Sequence, residues 1–336
     1  MGGDNMHTRT LGPFTVSAVG LGCMSMSWGY GVADDATSKW LLQEALDAGY
    51  SFLDTAAMYG MGHNEALIGR TLSHRRDEFV LASKCGIARG EAGNLTVDGR
   101  PKILKQTCER SLQLLRTDVI DLYYLHRLDP RVPVEESVGA LAELVAEGKV
   151  RTLGLSEISS ESLRRAHAVH PITAVQSEYS LWVRTPERRM LATCRELGVS
   201  FVPFSPLGRG FLTGCARDVT NLEEGDIRTN VARPRFEPEN FAANQQLLEP
   251  FGEIAREQGC SMAQLAIAWV LAREEQTLVP IPGTKHIEYM RENANAGDIR
   301  LEPPIVERLD RLINDRTVRG ARYNAQLMAS IDSEKD

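Results

Sequence analysis

Ser51-Phe52-Leu53-Asp54-Thr55-Ala56-Ala57-Met58-Tyr59-Gly60 is the stretch on which the reading of this chain turns. The apolar run up to Leu53 reads as a buried strand that ends on Asp54 and brings the phenol of Tyr59 to the same end of the fold. The next strand-like run, Phe79-Val80-Leu81-Ala82-Ser83, ends on Lys84, and the one after it, Val119 to Leu125, ends on His126. A parallel α/β barrel gathers all its strand C-termini on one face. Asp54, Tyr59, Lys84 and His126 are therefore expected to meet there.

Outward from that stretch, strand and helix alternate. Leu11 to Val16 reads as a hairpin turning at Gly12-Pro13, and Ala18 to Leu21 as the first barrel strand. Amphipathic helices are expected at Thr37–Ala48, stopped by Gly49, and at Asn64–Leu72 with Asn64 as N-cap. Others follow at Lys102–Leu115, Glu135–Glu147, Ser160–Val169 and Pro186–Leu197. Further strands are expected at Val150–Leu155, Ala174–Gln176, Val199–Pro203 and Leu278–Ile281. Eight strands, each followed by helical periodicity, predict a (β/α)₈ TIM barrel with an N-terminal β-hairpin and a long loop after strand seven. Gly86 to Arg100 reads as a loop at the active mouth. Pro206 to Glu239 lacks periodicity and is expected to be a lid over cofactor or substrate. One barrel domain is expected over residues 1–336, with the tail from 316 free to fray.

Composition narrows the function. With 43% hydrophobic residues the chain can bury a full core, and a net charge of −7 argues against nucleic acid as a partner. Its six cysteines are scattered without a C-x-x-C pair, the pattern of reduced thiols. The polar N-terminus shows no signal peptide and no stretch is long enough to span a membrane, so a cytoplasmic protein is expected. His167 and His170 sit one helical turn apart without a third ligand nearby, and no metal site is expected. Gly20-Leu21-Gly22 lacks the third glycine of a dinucleotide fingerprint and opens no helix. Cys85 follows Lys84, whose charge would activate an accessible thiol, so oxidants are expected to inactivate through it.

Asp54, Tyr59, Lys84 and His126 at the ends of consecutive strands resemble the catalytic tetrad of the aldo-keto reductases. Gly20-Leu21-Gly22-Cys23-Met24, Gly154-Leu155-Ser156, Gln176, Ser205-Pro206-Leu207-Gly208-Arg209-Gly210 and Ile281-Pro282-Gly283-Thr284-Lys285 follow in that family's order, over roughly residues 8 to 313. Leu125-His126-Arg127 and Gln176-Ser177-Glu178-Tyr179-Ser180 are most similar to its longer bacterial and plant-type members. The resemblance implies reversible reduction of aldehydes or ketones, small-molecule carbonyl substrates, with NADPH/NADP⁺ as cofactor. It also covers potassium-channel β-subunits, which keep NADPH as a regulatory ligand, so a redox-sensing subunit is the alternative.

The resemblance implies roles residue by residue. Cys23 and Met24 would border the cofactor, and Ser156 and Gln176 would hold the nicotinamide carboxamide. Relatives usually carry Asn beside that Ser, where this chain has Glu157, so one hydrogen-bond donor is lost. Phe204 stands where a Tyr commonly stacks on the nicotinamide. Ser205, Leu207 and Arg209 would meet the pyrophosphate, Gly283, Thr284, Lys285 and His286 the 2′-phosphate, and Glu292 and Asn293 the adenine. Trp28, Met58 and Trp182 are candidates for the substrate wall.

The chemistry needs these residue types. Carbonyl reduction takes a hydride and a proton, and a phenol is a poor acid near neutrality. An adjacent ammonium makes its proton easier to give up. Lys84 would act on Tyr59 in this way, with Asp54 holding Lys84 and His126 donating to the carbonyl oxygen.

Overall fold

The computed structural model describes residues 6–89, 95–216, 218–223, 225–273 and 277–336. Along the chain run β1 (Thr8–Leu11), β2 (Phe14–Ser17), β3 (Leu21–Gly22), α1 (Asp35–Asp47), β4 (Phe52–Asp54), α2 (His63–Leu72) and β5 (Val80–Cys85). A short antiparallel pair, β6 (Ile87–Arg89) and β7 (Leu95–Val97), precedes α3 (Pro101–Leu115), β8 (Ile120–Leu125), α4 (Val134–Ala146) and β9 (Val150–Ser156). Then come α5 (Ser160–Val169), β10 (Ile172–Glu178), α6 (Met190–Leu197) and β11 (Ser200–Phe204). Among the described residues six α-helices follow: α7 (Pro238–Gln245), α8 (Leu248–Glu257), α9 (Met262–Leu271), α10 (Ile287–Asn295), α11 (Pro303–Leu312) and α12 (Ala325–Ser330).

Seven strands pair in parallel in the order β3-β4-β5-β8-β9-β10-β11. The segment 278–283 occupies the place of the eighth. Val279 and Ile281 donate their N–H groups to Phe201 and Pro203 of β11 at 3.0 Å each, while Pro280 accepts from Gly20 at 2.9 Å and Pro282 from Gly22 at 3.3 Å. The N–H groups on one side thus bond to β11 and the proline carbonyls on the other bond to β3. Proline has no N–H to extend a ladder, so the expected eighth strand closes the ring through isolated bridges alone. At that seam Gly22 has no side chain for a physical reason: a Cβ there would sit 2.7 Å from the Ile281 carbonyl oxygen.

The core has two layers. Inside the ring, Phe52, Leu122, Tyr124, Val202 and Val279 pack together with Leu11 and Val16 of the hairpin. The β1–β2 hairpin therefore plugs one end of the barrel. A larger apolar layer lies between the strands and the helices. Every residue of β8 is buried, as a strand covered on both faces requires.

Several expectations are corrected. Residues 87–89 and 95–97 of the expected mouth loop form the β6–β7 pair, and 90–94 lie outside the described residues. Asn64 does not cap α2. That helix starts at His63 after Gly62, and the Asn64 side chain points inward to other partners.

The tail is packed rather than frayed. Arg322 is buried and bonded to Glu157 (2.5 Å), Glu178 (3.3 Å) and Glu334 (2.6 Å). Asp332 accepts from the Ser159 N–H and hydroxyl at 2.8 Å each, and Asp336 accepts from the Ser160 N–H. Arg273 and Arg184 likewise tie α11 down through Asp310, at 2.7 and 3.1 Å.

Candidate active site

β4, β5 and β8 end side by side and deliver Asp54, Lys84 and His126 to one face. Lys84 is the centre of the group. Its side chain is fully buried, and its ammonium donates to Asp54 Oδ1, to the Thr55 carbonyl at 2.8 Å and to the Tyr59 hydroxyl at 3.5 Å. The ammonium also lies 5.1 Å from the Tyr59 ring centre and 5.7 Å from that of Tyr124. The second oxygen of Asp54 accepts from Gln176 Nε2 at 2.7 Å. Tyr59 and His126 meet edge to face, their ring centres 6.0 Å apart. The four residues expected to converge do so.

The turn that carries Tyr59 is fastened from below. Gly60 and Met61 hold left-handed backbone at φ 57° and 55°. Thr55 donates to Asn64 Oδ1 at 2.6 Å, and Asn64 Nδ2 donates to the Cys23 carbonyl and to Ser27 Oγ at 2.9 and 2.8 Å. One amide therefore ties the ends of β3 and β4 to the first turn of α2. Its sequence position resembles that of a cap, and nothing local separates the two roles.

Electrostatics follow from burial. Burial pushes the Tyr59 phenol above its ordinary value while Lys84 pulls it down, and burial prevails. Lys84 thus moderates the phenol without making it acidic in absolute terms, a correction to the simple expectation. Burial alone would lower the Lys84 ammonium, but Asp54 and Tyr59 outweigh it and raise it. Burial also raises Asp54, against Lys84 and Gln176. His126 is held well below its ordinary value, first by burial and then by Arg127 and Lys84. Its imidazole is neutral near pH 7 and carries one N–H.

The other expected residues divide into groups. Cys23 is buried and its N–H bonds to the Asp54 carbonyl, while Met24 and Met58 pack with Tyr59. Ser156 Oγ accepts from Arg127 Nη1 at 3.1 Å, and Gln176 is anchored on Asp54. Phe204 and Ser205 sit half-buried where β11 ends, and Ser205 and Arg209 hold φ 50° and 58°. Leu207 packs against the outer core. Non-glycine residues rarely take such angles, and they concentrate at functional sites. Arg209 is buried, ion-paired with Glu178 at 2.7 Å and stacked on Tyr323, and its Nη1 has no hydrogen-bond partner among the described residues.

At the far end, Gly283 and His286 are exposed and Thr284 is buried. The Lys285 ammonium donates to the carbonyls of Tyr30 and Val32 at 2.9 and 2.8 Å. His286 precedes α10 without capping it through its side chain. Glu292 is half-buried and Asn293 buried on that helix. Trp28 is partly exposed near the mouth, but Trp182 is not on a wall. It is buried and stacked flat on Phe211, centres 4.1 Å apart. With Phe236 and Phe241 it anchors the segment after β11, which explains why that segment shows no periodicity.

Sequence reasoning missed the charge cluster beside this site. Glu157, with φ 54°, directly follows β9 and Glu178 is the last residue of β10, and Arg322 binds both. In the sequence Glu157 stands out only as a missing amide. Two acids on buried strand ends are the one signal that a distant cation must reach them.

The Aldo/keto reductase family model matches residues 18–314. The aldo-keto reductase yakc [NADP(+)] of Schizosaccharomyces pombe is 40% identical over 325 residues, 95% of each chain. Among solved structures, a glycerol dehydrogenase from Gluconobacter oxydans superposes with a TM-score of 0.82 at 26% identity, covering 99% of this chain and 97% of that one. An aldo/keto reductase from Klebsiella pneumoniae, solved with NADP and acetate, has a TM-score of 0.71 at 27% identity and covers 95% and 99%.

Proposed function

The chain belongs to the aldo/keto reductase family, and from that membership we propose that it reduces aldehydes or ketones to alcohols with NADPH, reversibly, with Tyr59 as the proton donor. The observation that carries the reading is the buried Asp54–Lys84–Tyr59 chain beside a neutral His126. Bound NADPH supplies the hydride. Tyr59 gives its proton to the carbonyl oxygen as negative charge grows there. Lys84 stabilises the phenolate left behind, and Asp54 with the Thr55 carbonyl keeps the ammonium aimed at it. His126 donates its single N–H to the same oxygen and orients the carbonyl. In the reverse direction the phenolate takes the alcohol's proton.

The nucleotide would be held by Ser156 and Gln176 at the carboxamide, with Phe204 stacked against the ring. Ser205, Leu207 and Arg209 would meet the pyrophosphate, Gly283 to His286 the 2′-phosphate, and Glu292 and Asn293 the adenine. Two features support the fit of an anion there. The buried Nη1 of Arg209 has no hydrogen-bond partner among the described residues, and the start of α10, free of a side-chain cap, lies next to Lys285. The test is NADPH oxidation over a panel of aliphatic and aromatic aldehydes and ketones. Many turnovers per protein are expected. A single slow oxidation of bound NADPH, whatever the carbonyl, would instead favour a regulatory subunit.

A further inference from the structure

Arg127 directly follows His126 at the end of β8 and is half-buried beside the tetrad. Its Nη1 donates to the His126 carbonyl at 2.6 Å and to Ser156 Oγ at 3.1 Å. Both acceptors are neutral. Among the described residues, the acids around this mouth already have partners: Asp54 binds Lys84 and Gln176, Glu157 binds Arg322, and Glu178 is shared by Arg209 and Arg322. Other arginines at loop ends, such as Arg131 and Arg228, are paired with Asp129 and Asp226 at 2.9 and 2.6 Å. No carboxylate among the described residues forms an ion pair with Arg127. The charge is nonetheless felt at the chemistry, since it lowers both the His126 imidazole and the Tyr59 phenol.

The Arg127 charge helps to hold Glu157 ionised, but Glu157 is bonded to Arg322, so the half-buried guanidinium has no anion in direct contact among the described residues and favours one that visits it. Its planar fork matches a carboxylate, and charge-assisted bonds of this kind are stronger than neutral ones, more so away from bulk water. Nη1 is already anchored on β8 and β9, which fixes the plane and leaves the remaining N–H groups for a ligand.

We propose that Arg127 is a substrate-recognition residue and that the preferred substrates are carbonyl compounds carrying a carboxylate, held by the guanidinium while the carbonyl faces Tyr59 and His126. This rests on the reductase reading above. A structural role, in which Arg127 only ties β8 to β9, and a cofactor role, in which it serves the carboxamide through Ser156, are the competing uses.

The experiment compares acids with their methyl esters: 4-carboxybenzaldehyde against methyl 4-formylbenzoate, and succinic semialdehyde against methyl 4-oxobutanoate. The wild type is expected to prefer the acid by roughly 10–100-fold in kcat/KM, the range of a hydrogen bond to a charged group. In Arg127→Met that preference should fall to about one, chiefly through KM for the acid, and Arg127→Lys should keep part of it. NADPH affinity of the substrate-free protein, read by fluorescence, separates the cofactor role. An acid-to-ester ratio near one in the wild type, or one unchanged in Arg127→Met, overturns the proposal. Calorimetric binding of benzoate to the NADP⁺-loaded protein needs no turnover. Its presence in the wild type and loss in Arg127→Met would uphold the carboxylate site even if no aldehyde were reduced. Its equal presence in both would refute it.

Discussion

The Lys84 ammonium, fully buried, lies 3.5 Å from the Tyr59 hydroxyl and is held there by Asp54 and the Thr55 carbonyl. Without it only the more weakly acting Arg127 opposes the burial of Tyr59, and the phenol rises further. Lys84→Met is therefore expected to lower kcat by about 10²-fold or more. It also strands Asp54 in the interior, at a cost of about 3–5 kcal/mol in stability. Adding Asp54→Asn should restore melting temperature without restoring turnover. Recovery of both would mean that Lys84 acts only through the fold.

The pH dependence follows from the same burial. His126 sits well below its ordinary value, so it does not change charge across the neutral range. With Tyr59 as the proposed acid, reduction needs its proton, and a raised phenol keeps that proton until well into the alkaline range. The kcat for reduction should stay flat through neutrality and fall only on the alkaline side. For alcohol oxidation, which needs the phenolate, kcat should rise with pH instead. An inflection at about pH 6.5 that vanished in His126→Gln would contradict this.

Acid stability should report the tail. Glu157 is buried, but Arg322, Arg127 and Ser333 outweigh burial and hold its carboxyl down at about 2, against an ordinary 4.5. A depressed acid stabilises fully above its unfolded value and loses that contribution as pH falls through the folded one. The window is therefore pH 4.5 down to about 2, and the contribution is on the order of 3 kcal/mol. Urea unfolding across that window should lose stability more steeply in the wild type than in Glu157→Gln. Equal slopes would show that the Arg322 pair does not link to folding.

Thiol chemistry should bypass Cys85. Its side chain is buried in the layer between strands and helices, and burial pushes the thiol up, so proximity to Lys84 in sequence gives no activation. Cys215 is exposed and Cys260 partly so. A thiol reagent on the native protein should modify Cys215 first and leave Cys85 untouched. Oxidative inactivation that disappeared in Cys85→Ser would reverse this assignment.

These particulars show what the sequence carried and what it did not. Strand ends on Asp54, Lys84 and His126 were legible because parallel strands put their last residues on one face, whatever the helices do. The positions of α1 to α6 were legible from apolar spacing and the hairpin from Gly12-Pro13, whereas α7 to α12 were not placed. Adjacency in sequence hides the direction of Cys85, which alternation along β5 turns away from Lys84. Trp182 and Phe211 stack across the gap between β10 and the segment after β11, and periodicity is blind to such contacts. The Arg322 cluster was out of reach for the same reason, because Glu157 and Glu178 lie 165 and 144 residues from Arg322. Asn64 was seen, but a buried asparagine that ties three segments has the same local signature as a cap.

The account rests on Tyr59 as the acid, and Tyr59→Phe tests it most directly, because the ring stays while the transferable proton goes. The measurement is kcat for an aldehyde together with the NADPH dissociation constant of the same protein. Loss of about 10²–10⁴-fold in kcat with NADPH affinity within about threefold of wild type is the result this account predicts. Retention of more than about a tenth of wild-type kcat would contradict it, and the proton would have to come from elsewhere.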